Sequence, residues 1–139
     1  MKSYIIEQGN RLQLTSSPAK NVLGTPLQAC CHDPKTGFMR DGFCHSHPHD
    51  PAQHIICAIM TADFLQFTQK QGNDLSTALP SHGFPGLKPG DRWCLCASRW
   101  QQALHYNVAP PVILNACEQS TLTIIPLTVL QQYAYNPSA

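Results

Sequence analysis

Residues 54–72, HIICAIMTADFLQFTQKQG, decide the fold class. Their first half, 54–60, is a continuous β-branched and apolar run, the pattern of a buried strand. Thr61 then offers its hydroxyl as a helix cap, and Asp63 suits the positive end of the helix dipole. Phe64, Leu65 and Phe67 give a helix over 62–71 its inner face, and Gly72 stands where a left-handed glycine closes a helix. A strand feeding a helix is the unit of an α/β chain. Residues 72–100, GNDLSTALPSHGFPGLKPGDRWCLCASRW, supply a second such unit, and the rest of the chain is organised around it. A turn-rich loop with Pro80, Gly83, Pro85, Gly86, Pro89 and Gly90 delivers the backbone into an apolar strand at 91–97. Ser98 can cap a second helix, with Gln101 at the capping-box position and Trp100, Ala103 and Leu104 on the apolar face. Asn107 is placed to end it.

Working outward, PVILNAC at 111–117 reads as a third strand and 122–125 as a fourth. Pro126 then suits the first turn of a last helix ending near Tyr135. On the other side, residues 32–53 are dense in turn signals, with a short hairpin expected at 38–43. Residues 1–20 read as an N-terminal appendage, with Tyr4-Ile5-Ile6 as a short strand and Ser16-Ser17-Pro18 as linker. Residues 21–139 form a single globular domain. The expected class is α/β (α+β): a compact two-layer sandwich, about three helices packed on one face of a small sheet, with long Pro/Gly-rich loops.

Composition narrows the function classes. Twelve per cent of residues are charged, about half the usual share. A net charge of +1 and a pI near 7.6 leave no electrostatic footprint for nucleic acid or an anionic membrane. No apolar run approaches the length of a bilayer span. The partner expected is a small molecule; nucleic acid and membrane are not, and oligomeric state is open. Seven cysteines without an export signal near the start point to a reducing cytoplasm and free thiols.

Several groups could carry chemistry. Cys94 and Cys96, two apart on a strand, share a face, and with Cys30, Cys44, Cys57 or His54 they could hold zinc. Burial as small apolar side chains is the preferred reading. His45, His47 and His49 fall on one side of an extended loop and could take a transition metal, although a solvated loop explains them as well. No metal site is therefore assigned, and no cofactor. His54 opens a buried strand beside Cys57. It could serve a thiol nucleophile as base, with Asp41, Asp50 or Asp91 as the orienting carboxylate. Arg40, Arg92 and Arg99 lie among the aspartates, and Arg–Asp pairing that pins the loops is the default. Most aspartates, Asp74 included, adjoin Gly, Pro or Asn, where the carboxylate commonly closes a turn.

Taken together, several motifs resemble the bacterial family known as domain of unknown function 2237. They are Thr36-Gly37-Phe38 with Arg40-Asp41-Gly42, His54 with Cys57-Ala58 and Met60-Thr61, Gly72-Asn73-Asp74-Leu75, Phe84-Pro85-Gly86-Leu87, and the run from Gly90 to Ala97 with Arg99-Trp100. The resemblance implies a compact two-layer α/β fold and no particular activity. The family pattern includes Cys30, Cys44, Asp50, His54, Cys57, Cys94 and Cys96 but not the three extra histidines. This chain departs from it at Ala52 and at Ala116-Cys117, where the family tends to have glycine and a Thr-His pair.

The reading is a domain of unknown function whose loops 36–54 and 72–92 converge near the Cys94/Cys96 face. They would form a cleft for a small ligand lined by Arg40, Asp41, Cys44, Asp50, His54, Cys57, Asp74, Asp91, Arg92, Cys94, Cys96 and Arg99. One alternative is a thiol-dependent enzyme using Cys44, Cys57 or Cys96 with His54; another is a zinc-stabilised interaction module.

Overall fold

A computed structural model describes residues 19–137. Strand β1 is His54–Ile59, helix α1 Ala62–Lys70, strand β2 Arg92–Cys96, helix α2 Ala97–His105 and helix α3 Leu127–Gln132. Single turns of 3₁₀ helix lie at Pro80–His82 and Leu114–Ala116, and a longer one at Gln119–Thr123. The class is mixed α+β, with three α-helices and one two-stranded antiparallel sheet among the described residues. The short strand expected at Tyr4-Ile5-Ile6 and the linker at 16–18 lie outside the described residues.

Both strand–helix units form, the first for the expected reasons. Thr61 Oγ1 accepts the Phe64 N–H at 3.0 Å, and Gly72 takes the left-handed conformation at the end of α1. The second unit is tighter than its sequence suggested. β2 runs straight into α2, so Cys96 rather than Ser98 holds the cap position, and its side chain makes no capping bond. Ser98 Oγ instead meets the Cys96 sulfur. Trp100 is wholly buried on α2, with Nε1 donating to the Pro110 carbonyl at 3.0 Å and its ring edge-on to Tyr133. Ile55, Ile56, Met60, Phe64, Leu95, Val112, Ile125 and Leu130 complete the core. Burying each such side chain is worth about 1.5–3 kcal/mol.

Three expected elements differ. The third strand is reduced to Val112, which bridges Ala58 and Ala134 before the chain turns at Leu114–Ala116. The fourth is replaced by 3₁₀ turns over Gln119–Thr123: the Glu118 carboxylate accepts the Ser120 N–H, and the Thr121 carbonyl accepts from Ile124 and Ile125. Local side-chain-to-backbone bonding thus outcompetes a ladder. No hairpin forms at 38–43. Thr36 and Gly37 carbonyls accept from Gly42 and Arg40, folding the segment on itself. Gly37 is required there, because a Cβ would lie 2.2 Å from the Phe43 carbonyl oxygen.

The free-thiol expectation is corrected for four of the seven cysteines. Disulfides join Cys30 to Cys57 and Cys44 to Cys94. Each fastens a loop cysteine onto one strand, and Cys57 and Cys94 stand directly opposite each other in the sheet. Thr36 Oγ1 reinforces the second, accepting the Cys94 N–H at 2.6 Å. Free thiols remain at Cys31, Cys96 and Cys117.

Candidate functional site

The sheet register decides which residues meet at the open end of the strand pair. Cys57 faces Cys94, so an unbroken ladder would set Ile55 opposite Cys96. A register shift between His54 and Ile56 sets His54 there instead. A β-bulge of this kind re-aims side chains, and such irregularities recur beside active sites. Directly opposed residues of an antiparallel pair carry Cβ atoms about 5 Å apart on one face. His54 is therefore the β1 partner of Cys96 in the register.

The loop before β1 completes the arrangement. Gln53 has φ of 54°, left-handed backbone for a residue with a side chain. Its carbonyl accepts from Ile55 at 2.9 Å and from Ala97 at 3.0 Å, and its N–H reaches the Asp50 carbonyl. This turn brings Asp50 back onto the strand it precedes. One Asp50 oxygen accepts the His54 backbone N–H at 2.9 Å and the other lies 2.9 Å from His54 Nδ1. The Asp50 side chain is 2% exposed, the His54 side chain 37%. A buried carboxylate thus fixes the ring, and Nε2 is the nitrogen left for chemistry.

Cys96 sits at the N-terminal end of α2. Its thiol donates to the Ala52 carbonyl at 3.0 Å and touches Ser98 Oγ at 3.1 Å. The sulfur is bonded to these groups rather than to His54; catalytic bonds are often loose before substrate arrives. The helix end adds the first-turn amides of Ser98 and Arg99, which with the helix dipole favour negative charge there.

The other expected cleft residues are distributed elsewhere. Cys44, Cys57 and Cys94 are buried in disulfides. Asp91 closes its own turn, accepting the Lys88 N–H at 2.9 Å, and Arg92 is exposed. Asp74 closes another on Ser76 and Thr77; the Thr77 hydroxyl and these backbone bonds hold its carboxyl below the usual value. Arg99 reaches the Gln71 carbonyl, tying α2 to the end of α1. Arg40 stacks over Trp93, 5.1 Å from the ring centroid. Asp41 meets His45 Nε2 at 2.7 Å; partial burial pushes this carboxyl up, but bonds to His45 and Phe43 outweigh that and lower it. His47 stacks on Phe38 and accepts the His49 N–H. His47 and His49 therefore pack together, with ring centroids 5.5 Å apart, while His45 pairs with Asp41.

Away from these residues, a concavity of about 400 Å³ is lined by Trp93, Phe84 and Pro85 together with His32, Lys35 and Arg40. His32, Lys35 and His82 were not singled out by the sequence; only the folded loop brings them beside Arg40. No helix among the described residues is long and apolar enough to cross a membrane. No curated protein matches the chain. A family model does match residues 20–134, which include the disulfides, Asp50, His54 and Cys96, and the chain belongs to that family, described as an uncharacterized protein conserved in bacteria (DUF2237).

Proposed function

We propose that this protein is a thiol-dependent enzyme in which Cys96 is the nucleophile, His54 the general base and Asp50 the residue that orients the base. The observation that carries the reading is the bulge in β1, which sets a histidine already clamped by a buried carboxylate opposite a free cysteine at a helix N-terminus. Nucleophile, base and orienting group in this relation form the constellation that recurs on unrelated folds. Of the three thiols weighed from the sequence, Cys44 and Cys57 are committed to disulfides, which leaves Cys96. The reaction class that fits is acyl transfer. The sulfur attacks a carbonyl as His54 takes the thiol proton, the leaving group departs with that proton, and amides at the start of α2 face the oxyanion.

Activated esters of short carboxylic acids test it. Intact-mass analysis should show one acyl group per chain, mapped to Cys96 and absent from Cys96→Ala. Acylation at Cys31 to the same extent, or a rate unchanged in His54→Ala, would overturn the assignment. A second reading, binding of a small anionic ligand, is favoured by the cleft in which Lys35, Arg40, His32 and His82 outnumber Asp33 beside the Trp93 ring. Calorimetric titration with small carboxylates and phosphates against Arg40→Ala decides that one.

A further inference from the structure

The two disulfides are close neighbours. The sulfurs of Cys30, Cys44 and Cys57 all lie within 4.8 Å of one another, and Cys94 is bonded to Cys44, so four sulfurs from four chain segments share one pocket of the core. All four residues are at most 3% exposed. Two disulfides do not need to touch to brace a domain; fastening two loops to two strands could be done anywhere along the sheet. The clustering has a different chemical consequence.

We infer that the reduced protein binds one zinc ion through Cys30, Cys44, Cys57 and Cys94, so that the same four sulfurs form a redox-gated metal site. A tetrahedral zinc with sulfur at about 2.3 Å requires its ligands roughly 3.8 Å apart; the sulfurs of Cys30, Cys44 and Cys57 already lie within 4.8 Å of one another, and reduction frees Cys94 from its bond to Cys44 to close the set. The first two ligands come from the loops and the other two face each other across β1 and β2, so the strand pair fixes half of the coordination sphere. Burial excludes water, as a closed structural zinc site requires.

The chemistry balances. Each disulfide accepts two electrons and two protons from a dithiol reductant, which leaves as its own disulfide. The four thiols then release four protons as they bind Zn²⁺. Oxidation runs the sequence backwards: two equivalents of an oxidising disulfide each take two electrons and two protons, leaving as thiols, and the metal is released. The loops carrying Cys30 and Cys44 stay fastened to the sheet in either state, by covalent bonds in one and by metal in the other. The site is independent of Cys96, Cys31 and Cys117, none of which belongs to the cluster.

Cobalt(II) is the probe, because tetrahedral tetrathiolate coordination gives it intense sulfur-to-metal charge-transfer bands. The full chain is reduced with a phosphine, desalted without oxygen and titrated with Co²⁺, then with Zn²⁺. The expected result is saturation at one cobalt per chain, displacement by zinc, and no band from the oxidised protein. Cys57→Ser and Cys94→Ser should each weaken binding by more than about tenfold, since loss of a ligand costs at least what loss of a supporting contact does. Cys31→Ser and Cys117→Ser should leave it unchanged. Circular dichroism follows folding throughout, because the reduced chain can fold on the metal rather than before it. A reduced chain that gives no charge-transfer band, whether folded or refolded in the presence of metal, overturns the proposal. So does binding that survives in Cys57→Ser and Cys94→Ser.

Discussion

Cys94 and Cys96 lie two residues apart on one face of one strand, yet the protein uses them differently. At Cys94 the opposing residue is Cys57, the surroundings are sealed, and both sulfurs are consumed in fastening loops to the sheet. At Cys96 the ladder slips, the opposing residue becomes His54, and the thiol stays free and partly exposed. The difference arises from the loop before β1. Asp50 and the left-handed Gln53 hold His54 in the position that an even register would give to Ile55. Composition cannot separate two such cysteines; register and burial can.

The comparison can be broken at the sealed rung first, where the largest effects are expected. In the oxidised protein, Cys94→Ser opens a loop of separation 50 and Cys30→Ser one of 27. Chain-entropy arguments put the losses at about 4 and about 3.5 kcal/mol. Denaturant melts should show both, in that order, while Cys96→Ser stays within about 0.5 kcal/mol of the parent. At the open rung, Asp50→Ala strips the buried partner from two His54 donors and should cost about 1–3 kcal/mol. Nuclear magnetic resonance of the His54 ring should report loss of the fixed tautomer.

Smaller effects sharpen the contrast with the loop at 72–91. Arg–Asp pairing was expected to pin this loop, and Asp91 and Arg92 are adjacent there. The carboxylate instead reaches only the exposed Lys88 amide. Asp91→Asn should therefore cost under about 1 kcal/mol in the same melts. Least visible at neutral pH is Cys117. Burial pushes its thiol from 9.0 up to about 12, although the Cys57 carbonyl lies against the sulfur. A raised folded-state value means its contribution to stability is complete below about pH 9 and is lost as pH rises towards 12. Thiol reagents at pH 8 should leave Cys117 unmodified until the protein unfolds.

Much of this was legible before folding. Residues 54–60 and 62–71 read as strand and helix because period and cap agreed; β2 and α2 were found from their apolar pattern, with the cap misplaced at Ser98. His54 was marked as a possible base, with Cys96 among three candidate thiols and Asp50 among three carboxylates. The choice within each set was not legible, because a bulge leaves no mark in a run as uniform as Ile55-Ile56. Nor were the disulfides, since pairing depends on which loop crosses which strand. The odd cysteine count argued for free thiols. The strand at 111–117 was over-read for the opposite reason: its β-branched residues satisfy burial, and only Val112 also finds a ladder partner.

The most direct test of the central claim is the rate at which iodoacetamide alkylates each cysteine in the folded, oxidised protein, resolved by peptide mass mapping. Cys31 is the internal reference, a partly exposed thiol with no histidine set opposite it by the sheet. Cys96 should react at least about tenfold faster than Cys31, and His54→Ala should remove that advantage while leaving Cys31 unchanged, because general-base assistance contributes roughly 10²–10⁴-fold where it operates. Equal rates at the two cysteines, or a Cys96 rate indifferent to His54→Ala, would show that the bulged rung holds a spare thiol and no catalytic pair.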